Sequence, residues 1–204
     1  HLCVDPDEKT ETITGEFGEG MAFTVYAMEV CSPIGRSLED AQNRATAKLL
    51  ELEQTEVERA IWNGLYGAEP WLLDPAAAQV VSFDSDAEAL IDLEQEYSSG
   101  LGSLGVIHMS RGKALRYIGL DQIVRVSNRL ETGVGTPVVA GAGYGDSAMI
   151  ATPPLFGYRS DIFAPGEDEA ARLDRGTNDR YAIAERSYFV GWDPCTWVTT
   201  TDVP

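Results

Sequence analysis

Imidazole is the side chain best suited to moving protons near neutral pH, and this chain has two, His1 and His108. His1 is terminal. His108 lies in the run LGVIHM, which reads as a short buried strand, with no second histidine, cysteine or carboxylate cluster at metal-ligand spacing beside it. A lone histidine in that setting is a core residue satisfied by its neighbours. The segment Gly141-Ala142-Gly143-Tyr144-Gly145-Asp146 invites a nucleotide-binding reading. However, Asp146 stands where a dinucleotide fingerprint needs its last glycine, and the following SAMIATPP is strand-like, so no helix N-terminus follows to receive a pyrophosphate. It reads as a tight connection between strands. Neither GxxxxGK[ST] nor GxSxG occurs. With 33 Asp and Glu, acidic pairs are too numerous to single out a glycosidase pair. The row Glu51, Glu53, Glu56 and Glu58 reads as a solvated or subunit-facing surface, with a divalent-ion role as the alternative. Cys3, Cys31 and Cys195 form no CxxC or Cys–His cluster; a Cys3–Cys31 pair would leave Cys195 over. No catalytic, cofactor-binding or metal-ligating residue is assigned. The residues point to a structural or interaction protein.

The elements that carry these residues are organised around Ser37 to Gly64. Leu38, Ala41, Ala45, Leu49, Leu52, Val57, Ala60 and Ile61 fall on one face of an α-helix. Ser37 with Asp40 forms a variant of the capping box, and Gly64 sits where a left-handed C-cap ends a helix. At 1.5 Å per residue the helix spans roughly 40 Å. Its apolar stripe is narrow, so it should lie across a sheet or another subunit. Before it, Ala22 to Val30 is a strand rich in β-branched and aromatic residues. After it come a loop (Leu65 to Pro75), a helix capped by Ser85 and Glu88 and stopped by Gly100, a strand from Leu104 to Met109, and a helix capped by Ser110. A hairpin of Asn128–Thr132 with Thr136–Ala140 follows, then strands at Met149–Ala151 and Leu155–Phe163. Ala164 to Asp179 reads as a charged loop or short helix, and Tyr181–Trp192 with Cys195–Thr201 close the chain as two β-runs. This order lacks βαβ alternation and is α+β. Trp62, Tyr66 and Trp71 cluster at the end of the long helix and, with Tyr144 of the glycine-rich loop, are the candidate subunit contacts.

The chain has 204 residues, enough to bury a substantial core. Its formal charge of −18 argues against a high-affinity grip on nucleic acid, which needs cations to displace counterions from phosphate, and against anionic lipid surfaces. No run reaches the length and apolarity of a membrane span. The chain opens on His1 and not on Met, so we expect proteolytic processing or a further N-terminal segment.

The succession of an N-terminal β-arm, AFTVYAMEVCSPIG and an acidic helix ending ERAIWNGLYGAEPWL resembles the coat proteins of tailed bacteriophages. So do GVIHMSRGKALRYI, TPVVAGAGYGD and the closing YAIAERSYFVGWDPCTWVTT. Those coat proteins have the Hong Kong 97-type fold, and the likeness is nearest to coat-like proteins of actinobacterial phages. The resemblance implies a long spine helix, a peripheral β-sheet and a compact axial α/β domain. It places an extended arm and first strand in 1–35, the spine helix and following loop in 36–84, the axial domain in 85–154, and return strands completing the peripheral domain in 155–204. Within the arm it sets an extended loop between Cys3 and Met28. It implies a capsid subunit of a virion, assembled in the host cytoplasm into hexamers or pentamers of an icosahedral shell. Its partners would be copies of itself and other capsid or decoration proteins, with packaged DNA only in weak, non-specific proximity and no membrane. Some relatives cross-link Lys to Asn; of Lys9, Lys48 and Lys113 only Lys9 falls on that loop, so cross-linking is not expected. An encapsulin-type shell, and an acidic intracellular enzyme built around His108, are the competing readings.

Overall fold

A computed structural model describes residues 19–31, 37–68, 71–73, 78–81, 83–85, 87–101, 105–164, 172–174, 179–192 and 196–200. The expected arm, Lys9, Cys3 and Cys195 lie outside these residues, as does the side chain of Cys31. The long helix is α1, Leu38–Asn63. The Ser37 hydroxyl accepts from the Asp40 backbone N–H at 3.1 Å, and Gly64 ends the helix at φ 71° while its N–H reaches the Ala60 carbonyl. Before it runs β1, Glu19–Cys31; late in the chain comes β10, Asp179–Trp192, antiparallel to β1 from Glu19↔Trp192 to Cys31↔Arg180. β8, Phe156–Arg159, and β9, Arg172–Asp174, pair with β10 to make a four-stranded sheet. β9 is a strand where a loop or short helix is expected, because β10 offers it an edge.

Met21, Phe23, Val25 and Ala27 of β1 alternate inward with Ala182, Ala184, Tyr188 and Val190 of β10, and Leu38, Ala41, Ala45 and Leu49 of α1 close over them. This is period 2 packed against period 3.6. One position differs from the expected stripe. Leu52 is half-exposed, and the next inward place is filled by Glu53, because β10 presents Arg186 and Tyr188 there.

The second sheet has seven strands: β2 (Ala78–Val80), β11 (Thr196–Thr200), β7 (Ala148–Thr152), β3 (Val106–Ser110), β6 (Pro137–Gly141), β5 (Arg129–Thr132) and β4 (Ile123–Val126), in that spatial order. β11 therefore corrects the expectation that both C-terminal strands return to the first sheet: it pairs with β7 and β2, and only β10 stays with β1. β4 was not anticipated; Ser127 at φ 55° makes the turn that folds it onto β5. Helix α2 (Ala89–Leu101) packs on β11 and β7, and α3 (Arg111–Gly119), capped by Ser110, packs on β3, β4 and β6. α2 is regular from Ala89, just after the expected Ser85 cap, where the Ser85 carbonyl accepts from the Glu88 and Ala89 N–H groups at 2.9 and 3.0 Å and the Ser85 hydroxyl donates to the Glu88 carboxylate at 2.9 Å. Met149 and Ala151 of β7 face the core under α2 and α3, while Ala148 and Ile150 face the core under α1. The seven-stranded sheet thus separates two hydrophobic cores, and the fold is α+β.

Candidate functional site

The residues first considered for chemistry meet where α1 touches the seven-stranded sheet. His108 pairs with Ile150 in register, which turns its imidazole toward the α1 core. There Nδ1 lies 3.3 Å from the Tyr144 hydroxyl and Nε2 lies 3.0 Å from Thr152 Oγ1. His108 is 3% exposed, and burial pulls its pKa down to about 4. The ring is neutral and hydrogen-bonded on both nitrogens, which is the core histidine expected. Tyr144 meets the His108 ring edge-on at 5.8 Å and stacks on Trp62 at 4.7 Å. Burial foremost, and then the charge of Glu58, push its phenol well above the ordinary range.

Trp62 and Tyr144 are therefore not surface anchors. Trp62 is 1% exposed and Tyr144 9%, because the glycine-rich loop folds down onto α1 and closes over both rings. Gly143 makes that approach possible: a Cβ there would stand 2.7 Å from Glu58 Cβ and 2.9 Å from the Arg59 backbone nitrogen. Its N–H donates to Glu58 Oε2 at 2.7 Å, and Gln54 donates to Glu58 Oε1 at 2.9 Å. Gly143 and Gly145 serve contact with α1, while a Cβ on Gly141 would meet the Tyr144 ring. Asp146 accepts from the Ser110 hydroxyl at the start of α3, while Ser110 Oγ also accepts from the Lys113 N–H at 3.0 Å.

The acidic row of α1 divides in the same way. Glu51 is exposed, but Glu58 is buried against the loop and Glu53 is enclosed by β8 and β10. Arg186 lies 2.7 Å and Arg159 3.3 Å from Glu53 Oε1, to which the Tyr188 hydroxyl also donates. Burial raises the Glu53 carboxyl, but the hydrogen bonds from Tyr188 and Arg186 and the charges of both arginines outweigh it, leaving the pKa below the ordinary value. The row is not a single solvated face, and among the described residues no group of three His, Cys, Asp or Glu is placed to hold an ion. Glu56 accepts from Arg59 at 2.7 Å and from the Tyr66 hydroxyl at 2.6 Å. Tyr66 is 45% exposed, at φ 61°, and its phenol is pushed up to about 12, first by that hydrogen bond. Trp71 is half-buried against Gly64. Of the three lysines, Lys48 pairs with Glu29 and Lys113 is buried.

Sequence reasoning missed the outer face of the four-stranded sheet. Tyr26 and Met28 on β1, Phe189 on β10, and Phe156 and Tyr158 on β8 all project from the side opposite α1, between 39% and 71% exposed. The signal was present: in FTVYAM the set opposite Phe23, Val25 and Ala27 also carries Tyr26 and Met28, so both faces of the strand seek cover.

No family profile and no curated protein matches the sequence. Solved structures do match. A chain from Microbacterium phage Oxtober96 is similar at 13% identity and TM-score 0.56, over 89% of this chain and 73% of that one. The capsid of an empty GTA particle matches at 13% identity and 0.54, over 87% and 71%. The SrpI encapsulin of Synechococcus elongatus PCC 7942 matches at 12% identity and 0.52, over 88% and 73%. The chain has the Hong Kong 97-type fold of phage capsid and encapsulin shells.

Proposed function

We propose that this chain, built on the Hong Kong 97-type fold, is a coat subunit that assembles with copies of itself into an icosahedral capsid enclosing viral DNA. The observation that carries the reading is the extent of the match, 87–89% of the chain aligned to shell-forming proteins. In this reading α1 with the four-stranded sheet is the peripheral domain and the seven-stranded sheet with α2 and α3 is the axial domain. The protein's role is structural: His108, on which an enzymatic reading would rest, is enclosed and doubly hydrogen-bonded. The apolar outer face of the four-stranded sheet, with Tyr66 and Trp71 beside α1, supplies subunit contacts. Decoration proteins belong to the same proposal, as do the virion as final location and the host cytoplasm as the place of assembly.

Electron microscopy of the purified protein tests this. Closed shells or capsomer rings are expected, with nuclease-protected DNA in particles from infected cells; a discrete small oligomer at every concentration overturns it. A protected protein cargo in place of DNA would favour an encapsulin-type shell. With a charge of −18, isolated subunits should not retain duplex DNA at about 0.15 M salt, where non-specific binders have Kd values of roughly 1–100 µM.

A further inference from the structure

Charge is unevenly divided within the seven-stranded unit. Residues 84–97 carry six acids (Asp84, Asp86, Glu88, Asp92, Glu94 and Glu96) and no base. Residues 111–129 carry five bases (Arg111, Lys113, Arg116, Arg125 and Arg129) against Asp121 alone, net +4 in a chain of net −18. Glu94 of the first segment lines one depression and arginines of the second line another, and the two depressions share no lining residue.

The first is a cavity of about 370 Å³ between α2, the α3–β4 turn and the β5–β6 connection, with Leu90, Ile91 and Val134 as its apolar walls. Two buried acceptors on its lining have no partner among the described residues, Glu94 Oε2 and Gln122 Oε1. Both side chains are otherwise held. Thr136 donates to Glu94 Oε1, and Gln122 Nε2 donates to the Ala87 carbonyl at 2.6 Å, so the orphan oxygens cannot turn away to find donors. A buried carboxylate oxygen without a donor is a costly arrangement. An arginine suits the cavity in three ways, with N–H groups for the orphan oxygens, positive charge for the carboxylate and an apolar stem for the Leu90, Ile91 and Val134 walls.

The second depression lies between α3 and the β4–β5 hairpin. It is lined by Arg111, Arg125 and Arg129, with Leu115 70% and Ile118 37% exposed. Arg125 spends only Nε, on the Ser127 carbonyl at 3.3 Å, and the three arginines form no ion pair among the described residues. We propose that the β4–β5 hairpin of one copy, led by Arg125 and Arg129, docks into the Glu94–Gln122 cavity of the next. The two patches differ and lie on the same chain, so the contact is head-to-tail, the kind that makes rings where the rotation between copies closes. This inference rests on the shell reading and assigns the chemistry of one contact within it.

Three full-length variants test it, each first checked for native circular dichroism and melting. Glu94→Gln with Gln95→Arg reverses the cavity while keeping the Thr136 acceptor. Arg125→Glu with Arg129→Glu reverses the hairpin. The third combines all four changes. Each reversal alone should raise the subunit concentration needed for half-assembly by tenfold or more, and the combination should return it to within about threefold of wild type. Single reversals that assemble like wild type overturn the pairing while leaving the shell reading intact, and assign the cavity to water, a small cation or another protein. Two defects that the combination does not repair overturn it equally. A wild-type chain that never assembles overturns both readings.

Discussion

At the scale of single residues, the stack of Trp62 on Tyr144, with His108 behind it, is the interior joint between the two sheets. Removing a fully buried indole costs about 3–5 kcal/mol, because the cavity it leaves cannot collapse between a helix and a sheet. Trp62→Ala should therefore lower the free energy of unfolding by that amount in urea titration, before any effect on assembly is considered. A well-folded variant of unchanged stability would place Trp62 back at a surface. His108 supplies a pH signature. Its pKa is about 4 in the fold against about 6.5 when unfolded, so the unfolded state binds the extra proton between those values. The stability that the neutral ring contributes is complete above about pH 6.5 and is lost as pH falls toward 4. Up to roughly 3 kcal/mol is at stake. The difference between wild type and His108→Gln, followed from pH 7 to 4, isolates this from the many carboxylates; a difference constant across that range would contradict the assignment.

At the scale of elements, the docking of the glycine-rich loop onto α1 is what brings the two halves together. Gly143 is there because a Cβ would press on the helix backbone, which cannot move aside as a side chain can. Gly143→Ala should cost about 1–3 kcal/mol as overpacking and also stretch the bond from its N–H to Glu58. The melting temperature of the variant checks this, and a neutral or stabilising result would mean the loop is not seated on α1. The contrast with α1 itself explains what could be read in advance. Its period, its Ser37 cap and its Gly64 stop are local features, so its ends were legible to within a residue. Which strand β11 chooses is not local: TWVTT fits the edge of either sheet, and only the completed β7 decides. The phase of Trp62 was hidden for a similar reason. An aromatic at a helix end is exposed or buried according to whether a segment some eighty residues later in the chain folds over it. Glu53 shows the same dependence: the stripe reads as Leu52 until β10 places Arg186 and Tyr188 under the next position.

At the scale of the whole molecule, the described surface divides into a strongly charged part and an apolar one. Excess carboxylate keeps a chain soluble and dispersed, yet aromatic side chains across the outer face of a sheet make surface that water does not suit. On the proposed shell reading, both properties fit a chain that stays dispersed until it meets its copies. Tyr158 tests this most cleanly, since it is 71% exposed on β8, paired opposite Phe189 of β10. Placing a charge there should leave the isolated subunit within about 0.5 kcal/mol of wild type, as surface changes usually do. If the face is covered in the shell, Tyr158→Asp buries an unpaired carboxylate at every such contact. A loss of 2 kcal/mol per contact, the level of an interface hot spot, raises the dissociation constant about thirtyfold. Because every subunit repeats the defect around its neighbours, the expected outcome is native, stable subunits that fail to form shells at concentrations where the wild type assembles completely. Light scattering across a concentration series reads this directly. Normal assembly of Tyr158→Asp would leave the outer face solvent-exposed in the particle and shift the subunit contacts to the acidic cavity and the arginine hairpin.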